Sequence, residues 1–480
     1  MEKFTKIVAT LGPSTDSVDV IRSLYKAGMN VARLNFSHGD YDYFEKLISN
    51  IREVSNEIAI LLDTKGPEIR TGKIESGEII LKENQELILT KKDVLGNEKM
   101  IHINYAKLEK VSVGNKVLID DGLIECEVVE VSNDELLVKV LNGGILGSRK
   151  TVSIWGHNVE IPFLSEKDVE DIKFGIKHNI DYIAASFVRN AQEVLELKEF
   201  LLKNDSNIRI ISKIEHADAV KNIDEIISAS SAIMVARGDL GVEMPLEAVP
   251  KVQMEIIEKC NYFGKPVIVA TQMLESMKIN PRPTRAEVSD VASAILQGAD
   301  AVMLSGETAS GKYPVKAVAV MTKIAKNYDM DVVSKLSENS FGNLAKFKYP
   351  ISTFVTLSAS VAAKTLNAKA IITPTESGFT ARKVARFKSK CPIYALTRNY
   401  TVLRQLQLSR GVFPVYFEFD CDKEICGYDQ MIEKLVIDKY NTKEFGENDI
   451  IVITAGHIKL KQGNTNMLEV YKISDFLTNN

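Results

Sequence analysis

The sequence predicts an α/β fold in three parts: a (β/α)8 TIM barrel, an all-β lid domain inserted into that barrel, and a C-terminal α/β domain. Eight short apolar, β-branched runs recur roughly every 25 to 35 residues outside one long gap, and amphipathic helical stretches separate most of them. This alternation is typical of parallel strands joined by helical crossovers, and eight repeats favour a closed barrel over an open sheet. Within the gap, strand-like runs meet one another at turns, which indicates an insertion.

The eight barrel strands are expected where the apolar runs begin. These runs start at Lys6, Val31, Ala59, Asp181, Arg209, Ala232, Pro266 and Ala301. The helical stretches between them include DSVDVIRSLYKAG from Asp16, SEKDVEDIKFGIKH from Ser165 and LEAVPKVQMEIIEKC from Leu246. Each helix is expected to pack its apolar face on the strands.

The gap between Asp63 and Asp181 predicts the inserted domain. Its strand-like runs, GEIILKE, QELILTK, NKVLIDDG, LIECEVVEVS and ELLVKVLNGG, meet at Asn, Asp and Gly turns. After about Ser337 strands and helices alternate again, with five strand candidates. The predicted domains are 1–65 with 163–337 for the catalytic barrel, 66–162 for the lid and 338–480 for a C-terminal regulatory domain.

Composition and charge exclude several classes of protein. The 60 basic and 64 acidic residues leave a formal charge of −4, without the basic excess that is usual in nucleic-acid binders. Five cysteines without a C-x-x-C pair indicate neither a disulfide framework nor a zinc module. No apolar stretch reaches the roughly 18 residues that span a membrane. We therefore expect a cytoplasmic enzyme with no nucleic-acid or membrane partner.

Polar residues close several predicted barrel strands, where the reactive groups of such barrels lie. Arg33, Asn35 and Ser37 share one face of the second strand, because side chains alternate with period two. They are expected to point inward together. The alternative is an arginine that pairs with a loop carboxylate beside ordinary turn residues.

The fifth and sixth strands bring two acids together. Lys213 and Glu215 share a face of the fifth strand, and Asp239 follows the end of the sixth. Two carboxylates on adjacent strand ends suit Mg²⁺, which prefers carboxylate oxygens together with substrate and water. A nearby ammonium can meet charge that develops on a metal-bound substrate. A structural Lys–Glu pair is the alternative.

Three further strands end in polar segments. A dense set of charges runs from Asp63 to Arg70, where the insertion begins, and Arg70 is placed to hold a phosphate at the mouth of the interdomain cleft. Thr271 closes the seventh strand. Ser305 closes the eighth, where a capping role is the default.

Six segments together resemble the pyruvate kinase family. They are MNVARLNFSHG, DTKGPEIRTG, ISKIE, ARGDLG, ATQMLESM and MLSGETA, in this order, with the insertion between the second and the third. The resemblance extends through ITPTESGFTARKVARF and ITAG, so it covers effectively the whole chain. It implies phosphoryl transfer from phosphoenolpyruvate to ADP, which gives pyruvate and ATP in the last step of glycolysis.

The resemblance implies roles for the charged strand ends. Glu215 and Asp239 match the ligands of Mg²⁺ or Mn²⁺. Arg33 matches the group that holds the transferring phosphate, and Lys213 matches the ammonium that stabilises the transition state. These roles fit phosphoryl transfer, because its loose transition state is stabilised by positioning and positive charge more than by covalent catalysis.

The resemblance also implies a site for the rest of the substrate. The turn of Arg237, Gly238 and Asp239 matches the segment whose backbone N–H groups hold the substrate carboxylate, and such donors at a helix start suit an anion. Thr271 matches the hydroxyl beside the enolate carbon.

A monovalent-cation site is implied beside the phosphate, occupied by K⁺ in the family. The matching residues are Asn35, Ser37, Asp63 and the carbonyl of Thr64. Glu68 occupies the position at which a glutamate accompanies K⁺ dependence in the family, whereas a lysine there supplies the positive charge itself. The resemblance therefore implies K⁺-dependent activity.

The ADP site implied by the resemblance comprises Asn35, His38, Arg70 and Lys150. The family's insertion motif is roughly K-G-V-N-x-P-G, whereas this chain has KTVSIWG from Lys150. Thr151 lacks the backbone freedom of glycine, so the shape of this loop is expected to differ. Trp155, the single tryptophan, is either an interface residue or an ordinary core residue.

A loop in the last domain runs from a strand into a helix start, where hydroxyls and free N–H groups suit a phosphate. In the family it belongs to an allosteric effector site, which here comprises Thr373, Thr375, Ser377, Gly378 and Thr380. Glu376 stands where some fructose-1,6-bisphosphate-activated members carry a lysine, so the expected phosphorylated activator is AMP or a sugar monophosphate. An ordinary helix cap is the alternative.

Two other functions compete with this interpretation. A metal-dependent aldolase or lyase of another pyruvate-forming barrel family also places acids and a basic group on adjacent strands, but it leaves Arg70, Lys150 and the lid unexplained. A catalytically silent regulatory or RNA-binding paralogue would have lost a ligand or the key lysine. The resemblance finally implies a homotetramer.

Overall fold

Eight parallel strands close into a barrel. The computed structural model describes residues 2–157, 159–332, 334, 336, 349–418, 428–456 and 465–477. The chain first forms β1 (Lys6–Leu11), α1 (Val18–Ala27), β2 (Val31–Asn35), α2 (Tyr41–Val54) and β3 (Ala59–Asp63). The helix boundaries have local causes: Ser17 caps the start of α1, and Gly28 ends it at a φ of 119°, which glycine adopts without strain.

The insertion after β3 consists mainly of strands, with one short 3-10 helix at Leu108–Lys110. It contains β4 (Ile69–Arg70), β5 (Glu78–Leu81), β6 (Glu86–Thr90), β7 (Met100–His102), β8 (Lys116–Ile119), β9 (Ile124–Val131), β10 (Glu135–Val140), β11 (Gly144–Gly147) and β12 (Thr151–Ile154). Seven of them form one sheet in the order β4-β12-β8-β9-β10-β6-β7, and β5 pairs with β11. Their alternating inward residues form a separate apolar core, so the predicted all-β insertion is confirmed.

The chain then completes the barrel. The elements are α3 (Glu166–Lys177), β13 (Tyr182–Ala185), α4 (Ala191–Lys203), β14 (Arg209–Ile214), α5 (Ala217–Lys221), α6 (Ile223–Ala229), β15 (Ala232–Ala236), α7 (Arg237–Glu243), α8 (Val249–Phe263), β16 (Val267–Ala270), α9 (Arg285–Leu296), β17 (Ala301–Leu304), α10 (Gly306–Ala309) and α11 (Pro314–Tyr328). Neighbours follow chain order, and β17 pairs with β1. The predicted (β/α)8 barrel is confirmed.

The C-terminal domain is a five-stranded sheet with helices. It contains α12 (Pro350–Thr365), β18 (Ala370–Pro374), α13 (Phe379–Ala385), β19 (Ile393–Thr397), α14 (Tyr400–Leu406), β20 (Val412–Tyr416), α15 (Tyr428–Asn441), β21 (Ile450–Gly456), β22 (Thr465–Lys472) and α16 (Ser474–Leu477). The strand order is β20-β19-β18-β21-β22, and only the β21–β22 pair is antiparallel. The predicted boundary at 337/338 lies outside the described residues, so the domain limits stay predictions.

Buried ion pairs join the C-terminal domain to the amino ends of the barrel strands. Arg404 Nε contacts Asp181, just before β13, at 2.6 Å. Lys388 Nζ contacts Asp300, just before β17, at 3.1 Å. The carboxyl ends of the strands therefore lie on the opposite face of the barrel, toward the insertion. Over the described ranges, no helix is both long and apolar enough to cross a membrane.

Candidate active site

A chain of charged side chains crosses the carboxyl end of the barrel. Arg33 on β2 donates from Nε to Asp63 Oδ2 at 2.6 Å and from Nη1 to Thr10 Oγ1 at 2.9 Å. Only 11% of the Arg33 side chain is exposed, and Asp63 is buried. The predicted inward orientation of Arg33 is thus observed, and its carboxylate partner comes from the neighbouring strand end. Although burial acts to raise the pKa of Asp63, Arg33 and Lys213 hold it below its usual range.

Lys213 lies at the centre of this chain. Its Nζ contacts Asp63 Oδ1 at 3.1 Å, Glu215 Oε1 at 2.8 Å and Ser186 Oγ at 2.7 Å. Burial acts to lower the pKa of Lys213, but the charges of Asp63, Glu215 and Asp239 raise it above the usual value. The ammonium therefore stays charged in a place that is largely shielded from water.

Glu215 and Asp239 share the adjoining part of the site. Burial raises the pKa of Glu215 to about 7, with Asp239 acting in the same direction, although Lys213 opposes both. Burial likewise raises the pKa of Asp239. Glu215 Oε2 also accepts a hydrogen bond of 2.7 Å from the backbone N–H of Phe187. Glu215 is buried and Asp239 half-buried, and the charge of Asp239 disfavours that of Glu215. Such a pair of carboxylates is a donor set that suits a hard divalent cation.

Glu215 and Asp239 are the two side chains of this site that suit a divalent metal ion. Among the described residues, no group of three or more His, Cys, Asp and Glu side chains is arranged to hold a metal ion. A two-carboxylate site still fits Mg²⁺, which commonly takes one or two carboxylates and fills its other positions with water and substrate phosphate.

The ends of β15 and β16 meet at a strained turn. Thr271 and Gln272 have φ values of 67° and 55°, which cost about 1–3 kcal/mol each in residues other than glycine. The strain turns Thr271 Oγ1 toward α7, where it accepts from the backbone N–H of Gly238 at 2.8 Å. The Arg237 side chain stabilises the turn. It donates to the Thr271 carbonyl at 2.8 Å and to Asp290 Oδ1 at 2.7 Å. The Arg237 side chain is thus committed to the protein.

The predicted K⁺ residues are close to this network but bonded within the protein. Asn35 Oδ1 accepts from the N–H of Ser37 at 3.2 Å, and Ser37 is exposed. The carbonyl of Thr64 accepts from Ser186 Oγ at 2.7 Å. Asp63 is shared by Arg33 and Lys213, as described above.

Residues of the insertion face the barrel mouth across a cleft. Glu68, Asp121 and Asp239 line the same cavity. Arg70 donates from Nε to Glu68 at 2.7 Å and from Nη1 to the Arg149 carbonyl at 2.9 Å.

The other residues predicted for ADP are more open. Lys150 pairs with Asp120 at 2.9 Å, with 39% of its side chain exposed. His38 is exposed in the turn after β2. The structure therefore places Arg70 and Lys150 on the insertion and His38 on the barrel, on the side where the two domains face each other.

The altered loop of the insertion contacts the barrel. The indole N–H of Trp155 donates to the carbonyl of Val242 at the end of α7, and Ser153 Oγ bonds to Glu243. Glu243 is also 3.3 Å from Nε2 of His216. Of the two interpretations of Trp155, the structure supports the interface, and the residues that replace the family's motif dock the insertion on α7.

Sequence reasoning missed two hydroxyls of the site. Ser186, just after β13, bridges Lys213, Asp63 and the Thr64 carbonyl. Thr10 on β1 holds Arg33. Both lie toward the carboxyl ends of barrel strands. This position was the one feature of the sequence that could have identified them as site residues, since neither side chain carries a charge.

The predicted effector residues lie far from this site, at the end of β18 and the start of α13. Thr373 and Thr380 are buried, and Thr380 Oγ1 bonds to Thr465 Oγ1 at 2.8 Å. Thr375 Oγ1 accepts from the N–H of Gly378 at 2.9 Å. Ser377 is half-buried. The hydroxyl of Thr375 thus stabilises the turn itself, whereas that of Thr380 joins α13 to β22.

The fold and the site together define a class of protein. A closed (β/α)8 barrel carries buried cations and two metal-suited acids at the carboxyl ends of its strands, and an inserted β domain covers them. This arrangement is typical of a barrel enzyme whose active site suits an anionic substrate.

Comparison with known proteins specifies the family. The family model for the pyruvate kinase barrel domain matches residues 2–318, and that for the pyruvate kinase alpha/beta domain matches residues 354–471. The chain is 47% identical to the pyruvate kinase of Geobacillus stearothermophilus over 99% of its own length and 81% of the relative's. It is 47% identical to that of Bacillus licheniformis over 98% and 80%. The crystal structure of a pyruvate kinase from Cryptosporidium parvum superimposes with a TM-score of 0.91 at 38% identity, covering 98% of this chain and 96% of that one.

The chain belongs to the pyruvate kinase family, and it is an enzyme of that family. The resemblance of the six sequence segments is thereby confirmed.

Proposed function

We propose that this enzyme transfers the phosphoryl group of phosphoenolpyruvate to ADP, with Mg²⁺ and K⁺ required, and so forms pyruvate and ATP in the last step of glycolysis. The observation that carries the proposal is the buried chain Arg33–Asp63–Lys213–Glu215, which keeps two positive charges at the barrel mouth. A cytoplasmic location and a homotetramer are proposed with it, on the resemblance to the family.

Glu215 and Asp239 are the residues that would hold Mg²⁺ or Mn²⁺. When bound, the ion supplies positive charge that offsets the charge of the phosphate oxygens. Its presence also removes the cost of keeping two carboxylates side by side in a buried place. Asn35, Ser37, Asp63 and the Thr64 carbonyl would hold K⁺ through oxygen donors.

Side chains of the barrel bind the transferred phosphoryl group and stabilise its charge. Arg33 presents a guanidinium, which binds a phosphate through two parallel hydrogen bonds. Lys213 places its ammonium where negative charge grows as the phosphoryl group leaves the enolate oxygen. Both groups are already oriented by Asp63, so little reorganisation is needed as the charge develops.

The other end of the substrate is assigned to α7 and the Thr271 turn. The backbone N–H groups of the Arg237–Gly238–Asp239 segment would bind the carboxylate, as donors at a helix start bind anions. The Gly238 N–H, which donates to Thr271 Oγ1 in the free protein, would then donate to the carboxylate instead. Thr271 lies beside this segment, where its hydroxyl can relay a proton to the enolate carbon. Arg237 acts by its backbone, because its side chain fixes the strained turn.

The ADP phosphates are assigned to the cleft between the domains. Arg70 and Lys150 reach them from the insertion, and Asn35 and His38 from the barrel. Trp155 docks the insertion on α7, whose residues Asp239, Val242 and Glu243 line the cleft. Exclusion of water from this cleft on substrate binding would strengthen each electrostatic contact within it.

A coupled assay of pyruvate formation tests this function directly. We expect pyruvate to form from phosphoenolpyruvate only when ADP, Mg²⁺ and K⁺ are all present, with ATP produced in equal amount. Full turnover in a buffer balanced with Na⁺ or Tris would refute K⁺ dependence. Pyruvate release from phosphoenolpyruvate without ADP would mean that water accepts the phosphoryl group, and it would contradict the proposed transfer to ADP. No pyruvate from phosphoenolpyruvate under any condition would instead favour an aldolase, a lyase or a silent paralogue.

We further propose activation by AMP or a sugar monophosphate at the loop formed by Thr373, Thr375, Ser377, Gly378 and Thr380. The support is the resemblance and the exposed carboxylate of Glu376, which disfavours a bisphosphate. At subsaturating phosphoenolpyruvate, either compound is expected to raise the rate, whereas fructose 1,6-bisphosphate is not. No response to any of the three would contradict the proposal.

A further inference from the structure

Both connections between the barrel and the insertion pass one short loop of the barrel. This segment, residues 186–189, directly follows β13 and is called the β13 loop. The chain leaves the barrel after β3 through residues 64–66, the outgoing connection. It comes back between β12 and α3 through residues 159–161, the return connection. The β13 loop contacts both, and it also contacts the charged side chains of the barrel mouth.

The outgoing connection packs closely on the start of the β13 loop. Ser186 Oγ donates to the Thr64 carbonyl at 2.7 Å, and the Ser186 N–H donates to Thr64 Oγ1 at 3.3 Å. Gly66 has a φ of 71°, and a Cβ atom at this position would lie 2.7 Å from Ser186 Cβ and 3.1 Å from Phe187 Cδ2. Glycine therefore allows a backbone approach that a residue with a side chain would prevent.

The return connection is held by Arg189, at the end of the β13 loop. Its Nη2 donates to the Ile161 carbonyl at 3.0 Å, and its Nη1 donates to the Val159 carbonyl. Glu193 orients this side chain, because it accepts from Arg189 Nε at 2.8 Å and from the Arg189 backbone N–H at 2.7 Å. Only 15% of the Arg189 side chain is exposed. The planar guanidinium thus joins two carbonyls of the return connection to the β13 loop.

The first half of the β13 loop contacts the charged residues of the site. Ser186 Oγ accepts from Lys213 Nζ at 2.7 Å, and the Phe187 N–H donates to Glu215 Oε2 at 2.7 Å. Phe187 has a φ of 55°, in the left-handed region that residues other than glycine rarely adopt. Such a conformation persists only where surrounding contacts determine it. Release of the loop at Arg189 is therefore expected to displace the Phe187 N–H and the Ser186 hydroxyl.

We propose that Arg189 is a positioning residue that holds Lys213 and Glu215 in place through the β13 loop. The guanidinium fixes the loop to residues 159–161, and the loop orients the ammonium and the carboxylate. The position of the insertion and the geometry of the barrel mouth are thus set together, and small displacements of reacting groups lower the rate strongly. The inference rests on the function proposed above for Lys213 and Glu215, and it adds a residue that acts through them.

The first test compares Arg189→Lys with the wild type. Lysine keeps a positive charge beside Glu193 but lacks the planar fork that reaches two carbonyls. We expect kcat for pyruvate formation to fall by about 10-fold, with an unfolding temperature close to that of the wild type. If kcat did not change, the ion pair with Glu193 would be the whole role of Arg189, and the proposal would be wrong.

Binding of Mn²⁺ in the absence of substrate gives a readout that does not depend on the reaction. Because the Phe187 N–H orients Glu215, Arg189→Lys is expected to weaken Mn²⁺ binding by about 3-fold or more, as measured by electron paramagnetic resonance. An affinity equal to that of the wild type would contradict the proposal. If the wild type formed no pyruvate from phosphoenolpyruvate and ADP, the proposed function would fail, whereas the Mn²⁺ affinities would still test the role of Arg189.

A double-mutant cycle with Ser186→Ala tests whether Arg189 acts through the β13 loop. We expect each single variant to lower kcat by about 10-fold, and the double variant to lose about as much as either single variant, because both changes disturb the same contact with Lys213. Losses that multiply to about 100-fold would show that the two residues act independently, which contradicts transmission through the loop.

The matched control is Lys107→Met. Lys107 contacts Glu160, so it holds the same return connection from within the insertion, and 43% of its side chain is exposed. Both kcat and the Mn²⁺ affinity should stay close to the wild-type values. Losses equal to those of Arg189→Lys would contradict a specific role of Arg189. Should Arg189→Lys fail to fold, Glu193→Gln replaces it with the same losses expected, because it weakens the orientation of the guanidinium.

Discussion

Replacement of Lys213 by methionine is expected to lower kcat by about 10³-fold or more, with a much smaller change in the KM for phosphoenolpyruvate. The ammonium is held by Asp63, Glu215 and Ser186, at the point where the charge of the transferred group is expected to develop. An interaction that is stronger in the transition state than in the ground state affects kcat and spares KM. Steady-state kinetics of pyruvate formation measures both parameters.

A control must separate the loss of catalysis from a loss of folding, because the variant leaves the buried Glu215 without its cationic partner and Asp63 with Arg33 alone. Ser186→Ala removes one hydrogen bond of the lysine but keeps the ammonium, so it should lose far less activity than Lys213→Met. Thermal unfolding of both variants reports any loss of structure. If Lys213→Met raised KM as much as it lowered kcat, the lysine would serve mainly to bind substrate.

Asp239→Asn is expected to raise the Mg²⁺ concentration needed for half-maximal activity by about 100-fold or more, as loss of a charged ligand weakens metal binding by several kcal/mol. The same change removes a half-buried carboxylate whose charge adds to the raised pKa of the buried Glu215. The metal-free variant should therefore unfold no earlier than the metal-free wild type. A Mg²⁺ titration of activity and a thermal scan in chelator measure the two effects.

Two variants complete this experiment. Glu215→Gln should show the same dependence on Mg²⁺, because both acids are assigned to one ion. Asp121→Asn alters a carboxylate of the same cleft that is not a proposed ligand, and it should leave the Mg²⁺ requirement nearly unchanged. If neither Asp239→Asn nor Glu215→Gln changed the Mg²⁺ concentration needed for activity, these two acids would not be the ligands of the metal.

Strand periodicity was sufficient to predict the charged part of the site. Arg33, Lys213 and Glu215 alternate with apolar neighbours, so their inward orientation follows from the period of a strand. Ser186 and Thr10 carry no charge, and small hydroxyls at strand ends are common. Their roles depend on which strands become neighbours, and local sequence does not determine this.

Contacts between domains were not predictable for a related reason. The bond from Trp155 to the Val242 carbonyl depends on how the insertion approaches α7. The ion pairs of Asp181 with Arg404 and of Asp300 with Lys388 join residues that are distant in the chain, and each resembles an ordinary charge in the sequence. Only the packing of the C-terminal domain on the amino ends of the barrel strands brings them together.

Anomalous diffraction from crystals grown with Mn²⁺ and phosphoenolpyruvate would show whether Glu215 and Asp239 hold one ion beside the substrate. We expect one Mn²⁺ peak bound by oxygens of both Glu215 and Asp239, with the Lys213 ammonium and the Arg33 guanidinium on the substrate phosphate. A Mn²⁺ peak that contacts neither carboxylate, or a Lys213 side chain turned away from the phosphate, would contradict it.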